Sequence, residues 1–215
     1  MIQSATGMIL RRRPLTETSL ILHWLTPDFG RIATVAKGAQ RPKSPFLGKL
    51  DVFYVADFSF NRSRRSDLHV LREVSLRELN PALRKDLALL RQATYATALV
   101  EQATETGTPL PAIYDLMLGF LKQLREHPAQ PQTVFAFELK LLHELGLEPK
   151  REKTRLSAGT QRISQILAHG GWPEIARLRL AAAQIAELRE FLDDFLVFHV
   201  GRLPKNRTAA LAIGI

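Results

Sequence analysis

The chain has 215 residues, 30 Lys+Arg against 21 Asp+Glu, a formal net charge of +9 and no cysteine. Zero cysteine excludes a disulfide framework, a thiolate metal site and a cysteine nucleophile, and it fits a reducing compartment. No apolar run reaches the roughly 18–20 residues of a membrane span. The opening MIQSATGMILRRRP places its charges after a short apolar stretch, which is not the order of a secretory signal. The charge excess points to a polyanionic partner, nucleic acid first.

The excess is uneven. Residues 1–80 hold 13 Lys+Arg against 7 Asp+Glu, and residues 81–215 hold 17 against 14. The hydrophobic period changes at the same place. In the first part it is about 2, and five short strands are predicted. The first covers 8–12 and starts near Gln3, the second covers 19–25, and the third covers 31–37 after a turn at Asp28, Phe29 and Gly30. In the fourth, Val52, Tyr54, Ala56, Phe58 and Phe60 alternate; in the fifth, Leu68, Val70 and Val74 share a face that Arg72 interrupts. Five short strands must close or cover their edges, and a small barrel of the OB type does so economically.

After Asn80 and Pro81 the period becomes 3.6. Leu83, Leu87, Leu90, Ala98; Ile113, Leu116, Phe120, Leu124; Val134, Phe137, Leu141, Leu145; and Ile185, Leu188, Leu192, Phe195 form helical stripes. About five helices are expected, with a polar, basic insert near 148–160. The fold class is therefore α+β: an N-terminal five-stranded OB-type β-barrel over 1–80, then an all-α domain over 81–215.

The search for catalytic chemistry is mostly negative. Gly38 to Ser44 has residue types of a phosphate-binding loop but not its spacing, and GxGxxG, GxSxG and HExxH are missing. The six histidines are scattered, with no close cluster with carboxylates in the sequence; His199 after Asp193 and Asp194 reads as surface charge. No catalytic or metal-ligating residue is assigned and no cofactor is expected. The basic segments are more informative. Arg11, Arg12 and Arg13 end the first strand; Arg31, Lys37, Arg41, Lys43 and Lys49 span the third strand and the loop after it; Arg62, Arg64 and Arg65 fill the last turn. Cations in loops around a small barrel can converge on one surface and track a phosphate backbone. Phe53, Tyr54 and Phe58 read as core, whereas Phe46, between Pro45 and Gly48, is open to base stacking or to packing. Three other classes stay open: an RNA-binding OB module, a metal-dependent nucleic-acid-processing enzyme, and a scaffold.

Several runs together resemble the RecO family of bacterial DNA repair and recombination mediators. They are Gly7-Met8-Ile9-Leu10-Arg11, Glu17-Thr18-Ser19-Leu20-Ile21-Leu22, Thr26, Gly30-Arg31, Val35-Ala36-Lys37-Gly38-Ala39 and Lys43-Ser44. Phe137 to Leu142 with Leu145-Gly146-Leu147 looks like the family's helix ending in a leucine–glycine corner, and Pro204-Lys205-Asn206-Arg207 like its basic tail. The resemblance implies binding of single- and double-stranded DNA and annealing of complementary strands. It also implies, together with RecR, assistance to RecA loading on DNA coated by single-strand-binding protein, in the cytoplasm at the nucleoid. Some members receive the acidic C-terminal tail of that protein in the helical domain; Leu116, Phe120, Phe135 and Leu139 with Lys122, Arg125 and Lys140 are the corresponding wall and rim. Many members carry a four-cysteine zinc site after the leucine–glycine corner; this chain has no cysteine there, and zinc is not expected.

Overall fold

The computed structural model describes residues 1–149 and 155–212. Part of the polar insert, 150–154, lies outside the described residues. Two compact units are present, one formed by Met1–Pro81 with Thr104–Asp115 and the other by Ala82–Ala103 with Leu116–Ile215.

The first unit is a closed five-stranded barrel. β1 (Ile2–Pro14), β2 (Leu20–Thr26), β3 (Gly30–Ala36), β4 (Val55–Asn61) and β5 (Leu68–Glu78) follow the order β1-β2-β3-β5-β4. β4 pairs antiparallel with β1 and closes the seam, and β3 meets β5 in parallel. Closure removes the exposed edges that five short strands would otherwise present. At the seam the Thr6 hydroxyl donates to Asp57 at 2.6 Å and Arg77 Nε donates to the same carboxylate at 2.6 Å. These two bonds hold the Asp57 carboxyl below the usual range. The interior follows the period of 2: Leu20, Leu22 and Trp24 of β2 and Ala56, Phe58 and Phe60 of β4 join one apolar cluster. Trp24 stacks on Phe58 at 4.0 Å, and its indole N–H donates to the Thr34 hydroxyl at 2.9 Å, so the buried donor is satisfied.

The fifth strand corrects the sequence reading. Phe60 faces Leu71 while Ser59 faces Glu73, so Arg72 is the extra residue of a β-bulge. The bulge flips the alternation. His69 and Leu71 are buried before it and Val74 after it, whereas Leu68 and Val70 are half-buried.

The expected division near residue 80 also meets an exception, because Thr104–Asp115 groups with the barrel. Arg31 binds this segment: its guanidinium donates to the Thr104 carbonyl, and its own carbonyl accepts from the Gly107 N–H at 3.0 Å. Leu110 N–H donates to the Pro27 carbonyl at 3.1 Å. Gly30 has φ +61°, and a Cβ there would lie 1.7 Å from the Thr108 carbonyl oxygen, so only glycine fits.

The second unit is helical. After a 3-10 turn at Pro81–Arg84, the chain forms α1 (Leu87–Ala103), α2 (Pro111–Glu126), whose first turn groups with the barrel, and α3 (Pro131–Glu144). It continues as α4 (Ala158–His169), α5 (Trp172–Arg177), α6 (Ala182–Val200) and α7 (Arg207–Leu211). That makes seven helices among the described residues against about five expected. The difference is in the short ones: α5 has 6 residues and α7 has 5, too few to leave a periodic stripe. α4 begins inside the stretch read as insert, with the Ser157 hydroxyl accepting from the Thr160 N–H at 3.4 Å as its N-cap. Among the described residues, no helix is long and apolar enough to cross a membrane.

Candidate nucleic-acid interface

A cavity of about 480 Å³ opens on the barrel unit beside β3 and the β4–β5 turn. Arg31, Arg62, Arg64 and Arg65 line it together with Gln3, His23, Phe29, Phe60 and His69. The turn is built around Ser63, whose hydroxyl accepts from the N–H groups of Arg65 and Ser66 at 3.2 Å each. Such a serine-centred turn projects the flanking arginines outward, and Arg62, Arg64 and Arg65 are all exposed. Phe29 is set by the preceding turn, where its N–H donates to the Thr26 hydroxyl at 3.1 Å. Its half-buried ring meets Phe60 edge-on at 5.7 Å.

The barrel register adds more charge to the same side. Arg11 faces His23 across β1–β2, and Arg13 lies two residues beyond Arg11. Across β2–β3, His23 faces Ala33, two residues from Arg31. Partners and their i±2 neighbours share a sheet face. The electrostatics agree: burial first, then Arg13, Arg11 and Arg31, hold the His23 imidazole below its ordinary value. His69 is held low by burial and by Arg62. Its Nδ1 accepts from the Ser63 N–H at 3.3 Å, which requires the unprotonated nitrogen. Burial first, and the neighbouring arginines second, hold both imidazoles below their ordinary value, so cationic charge surrounds them on this side of the barrel. Chemically, such a groove can neutralise phosphates and offer Phe29 to an unpaired base.

The other predicted cations do not line this cavity. Lys37, Arg41 and Lys43 are exposed on the loop after β3, and Lys49 is half-buried. A shallower cavity of about 250 Å³ there is lined by Arg12, Leu47, Asp51 and Tyr54 among others, and it shares no lining residue with the groove. Arg12 Nε is 3.2 Å from the Asp51 carboxylate, and its guanidinium donates to the Leu50 carbonyl at 3.3 Å. Part of its charge is thereby spent internally.

Comparison with known proteins gives this basic barrel its context. Residues 1–80 match the model of the recombination protein O N-terminal domain, and residues 84–154 match that of its C-terminal domain. The chain belongs to the RecO family. It is similar to the DNA repair protein RecO of Exiguobacterium sibiricum, with 32% identity over 149 residues covering 69% of this chain and 59% of that one. The RecO protein of Alkaliphilus metalliredigens is 33% identical over 150 residues, 69% of this chain and 60% of its own. That of Anaeromyxobacter dehalogenans is 28% identical over an alignment of 231 positions, 92% of this chain and 91% of its own. The match thus spans about three fifths of the first two relatives' length.

Within this RecO-family chain several sequence-predicted roles fail on burial. Phe46 is 7% exposed and belongs to the barrel cluster, so its ring is not offered to a base. Leu116, Phe120, Phe135 and Leu139, read as the wall of a partner-tail pocket, are all buried in the helical unit. Phe120 packs on Phe137 at 4.6 Å. Of the rim, Lys140 donates to the Ala168 and Gly170 carbonyls at 3.1 and 2.7 Å, and Lys122 lies 4.0 Å from Glu126. Arg125 sits half-buried in the last turn of α2 and gains no pocket from the buried wall.

In the basic tail Lys205 is exposed, but Arg207 is internal. Arg207 donates to both oxygens of buried Glu138 at 2.6 and 2.9 Å and to Asp193 at 2.6 Å. Asp193 is thereby paired with Arg207, and the His199 ring packs on Phe195 at 4.5 Å. His143 and His169, scattered in sequence, do meet a carboxylate: one donor atom each from His143, Glu148 and His169 lie within 4.8 Å of one another. The chain has no cysteine, so no thiolate joins these donors.

Proposed function

We propose that this protein is a recombination mediator in DNA repair that holds single- and double-stranded DNA along the barrel groove and anneals complementary strands, making and breaking no covalent bond. The observation that carries this reading is the convergence of Arg31, Arg62, Arg64 and Arg65 on one groove, with Arg11 and Arg13 brought beside His23 by the strand register. Annealing requires two polyanions to be gathered while their bases stay available. Side chains that bind phosphates by charge satisfy both needs, because they neutralise the backbone and leave the Watson–Crick edges exposed. A half-buried Phe29 adds a stacking surface for a splayed base, worth about 1–3 kcal/mol per base.

Family membership extends the reading to partners. The protein acts with RecR, meets single-strand-binding protein through its C-terminal tail, and assists RecA loading, in the cytoplasm at the nucleoid.

The experiment is annealing of complementary labelled strands, with and without single-strand-binding protein. It compares wild type with Arg62, Arg64 and Arg65 all changed to Glu, and with Lys37, Arg41 and Lys43 all changed to Glu. The groove variant is expected to lose annealing and strand binding, and the loop variant to be weakened less. Full annealing by the groove variant would overturn the assignment. Loss of DNA binding with retained binding of a matched RNA strand would move the site to RNA.

A further inference from the structure

We propose that His143, Glu148 and His169 bind one divalent transition-metal cation, zinc by donor type, and that this ion ties the end of α3 to the end of α4. The proposal concerns the helical unit and does not depend on the DNA reading.

The three donors come from three separate pieces of chain that backbone geometry brings together. His143 is in the last turn of α3. The helix is closed by Leu145 N–H to Leu141 O at 3.1 Å, Gly146 N–H to His143 O at 2.9 Å and Leu147 N–H to Leu142 O at 2.8 Å. Gly146 at φ +70° turns the chain so that Glu148 comes back beside His143. His169 is the last residue of α4. Lys140, on α3, holds the carbonyls of the two residues flanking His169. The helix that carries one imidazole therefore also fixes the backbone of the other.

In this arrangement Glu148 Oε1 is 2.6 Å from His169 Nε2, and Oε2 is 3.4 Å from His143 Nδ1. The two rings lie edge to face at 5.2 Å. Zinc takes imidazole nitrogen and carboxylate oxygen at about 2.0–2.2 Å, which puts neighbouring donors of a tetrahedron about 3.4 Å apart. His143 has that spacing to the Oε2 oxygen and His169 faces Oε1, so a turn of the carboxyl group must present one oxygen to both imidazoles. The His169 nitrogen and the carboxylate must separate by less than about 1 Å, a small rotation for side chains that are 52% and 44% exposed. Two imidazoles with a single carboxylate suit zinc and its transition-metal neighbours, not magnesium or calcium, which want several oxygens. Three protein donors leave the fourth position to water. Lack of cysteine removes thiolate sites only and does not touch this donor set.

The test uses the full chain, stripped with chelator and titrated calorimetrically with zinc at neutral pH. Cobalt(II) serves as an optical probe of tetrahedral coordination. Wild type is compared with H143A, H169A, E148Q, the double variant H143A/H169A and the control H127A. One zinc per chain is expected in wild type and in H127A. Each ligand variant is expected to lose at least about tenfold in affinity, since even an outer-shell partner costs 10–100-fold. Zinc should raise the melting temperature of wild type and not of the double variant. All three side chains are substantially exposed, so the variants fold, and far-UV circular dichroism verifies it. Less than one zinc bound by wild type, or wild-type affinity in the double variant, overturns the proposal.

Discussion

Arg207→Met should destabilise the helical unit strongly, and the size follows from burial. The Glu138 side chain is 0% exposed and that of Arg207 5%. Arg207 supplies two of the hydrogen bonds to the Glu138 carboxylate, and the Tyr95 hydroxyl supplies another at 2.5 Å. Burial, and then the Glu138 charge, push the Tyr95 phenol well above its ordinary value, so it stays a donor. Removing the guanidinium leaves a buried carboxylate with a single neutral partner. Breaking such a pair costs about 3–5 kcal/mol. Asp193, the third partner, is 44% exposed and loses little by comparison. At about 2–4 °C per kcal/mol for a chain of this size, the loss is roughly 6–20 °C in Tm. The assay is urea and thermal unfolding followed by helical circular dichroism. The double variant Arg207→Met with Glu138→Leu should recover most of the loss, because no orphaned charge remains. A single variant within about 1 kcal/mol of wild type would refute the reasoning, since it would mean the carboxylate is solvated in spite of its burial.

Four further outcomes are expected. His23 is held below its ordinary value in the free protein, so the folded state loses stability as pH falls from about 6.5 through the folded pKa, where the unfolded chain takes up the proton first. Phosphates in the groove offset Arg13, Arg11 and Arg31, so strand affinity should tighten as pH falls toward 6, by up to about tenfold per unit of pKa recovered; pH-dependent affinity of His23→Gln should be flat, and equal slopes in the two proteins would contradict it. Gly30→Ala should cost more than the roughly 1–3 kcal/mol of a strained backbone position, because its Cβ meets Thr108; a thermal melt with unchanged midpoint would show that Thr104–Asp115 is not anchored as described. Phe58→Ala should cost about 3–5 kcal/mol by removing the ring stacked on Trp24, read as the urea midpoint of tryptophan fluorescence in a Trp172→Phe background, where Trp24 is the single reporter.

How far the sequence carries depends on whether a feature is local. Ala56, Phe58 and Phe60 repeat every second residue, and they do face one interior. In β5 the same rule fails, because a bulge at Arg72 depends on the register with β4, which no single strand contains. The cations were visible as charge, but which ones share a groove depends on pairing: Arg11 meets His23 across a strand pair, and Arg12, next to it, meets Asp51. Phe46 looked like a loop residue because Pro45 and Gly48 flank it, yet its ring is drawn into the barrel. Arg207 read as a tail because the partner that buries it, Glu138, is 69 residues away. His143 and His169 belong to different helices, so their meeting with Glu148 has no signature in spacing. His23 and Phe29 could have been found by projecting the period-2 register of β2 and β3 beside Arg31.

The most direct measurement is the salt dependence of affinity for a single-stranded oligonucleotide, wild type against Arg62, Arg64 and Arg65 all changed to Ala. Each phosphate neutralised on a single strand contributes about −0.7 to the slope of log affinity against log salt. The triple variant is expected to bind more weakly at low salt, with a slope shallower by about 2. Identical slopes in the two proteins would contradict the assignment of this groove to the phosphate backbone.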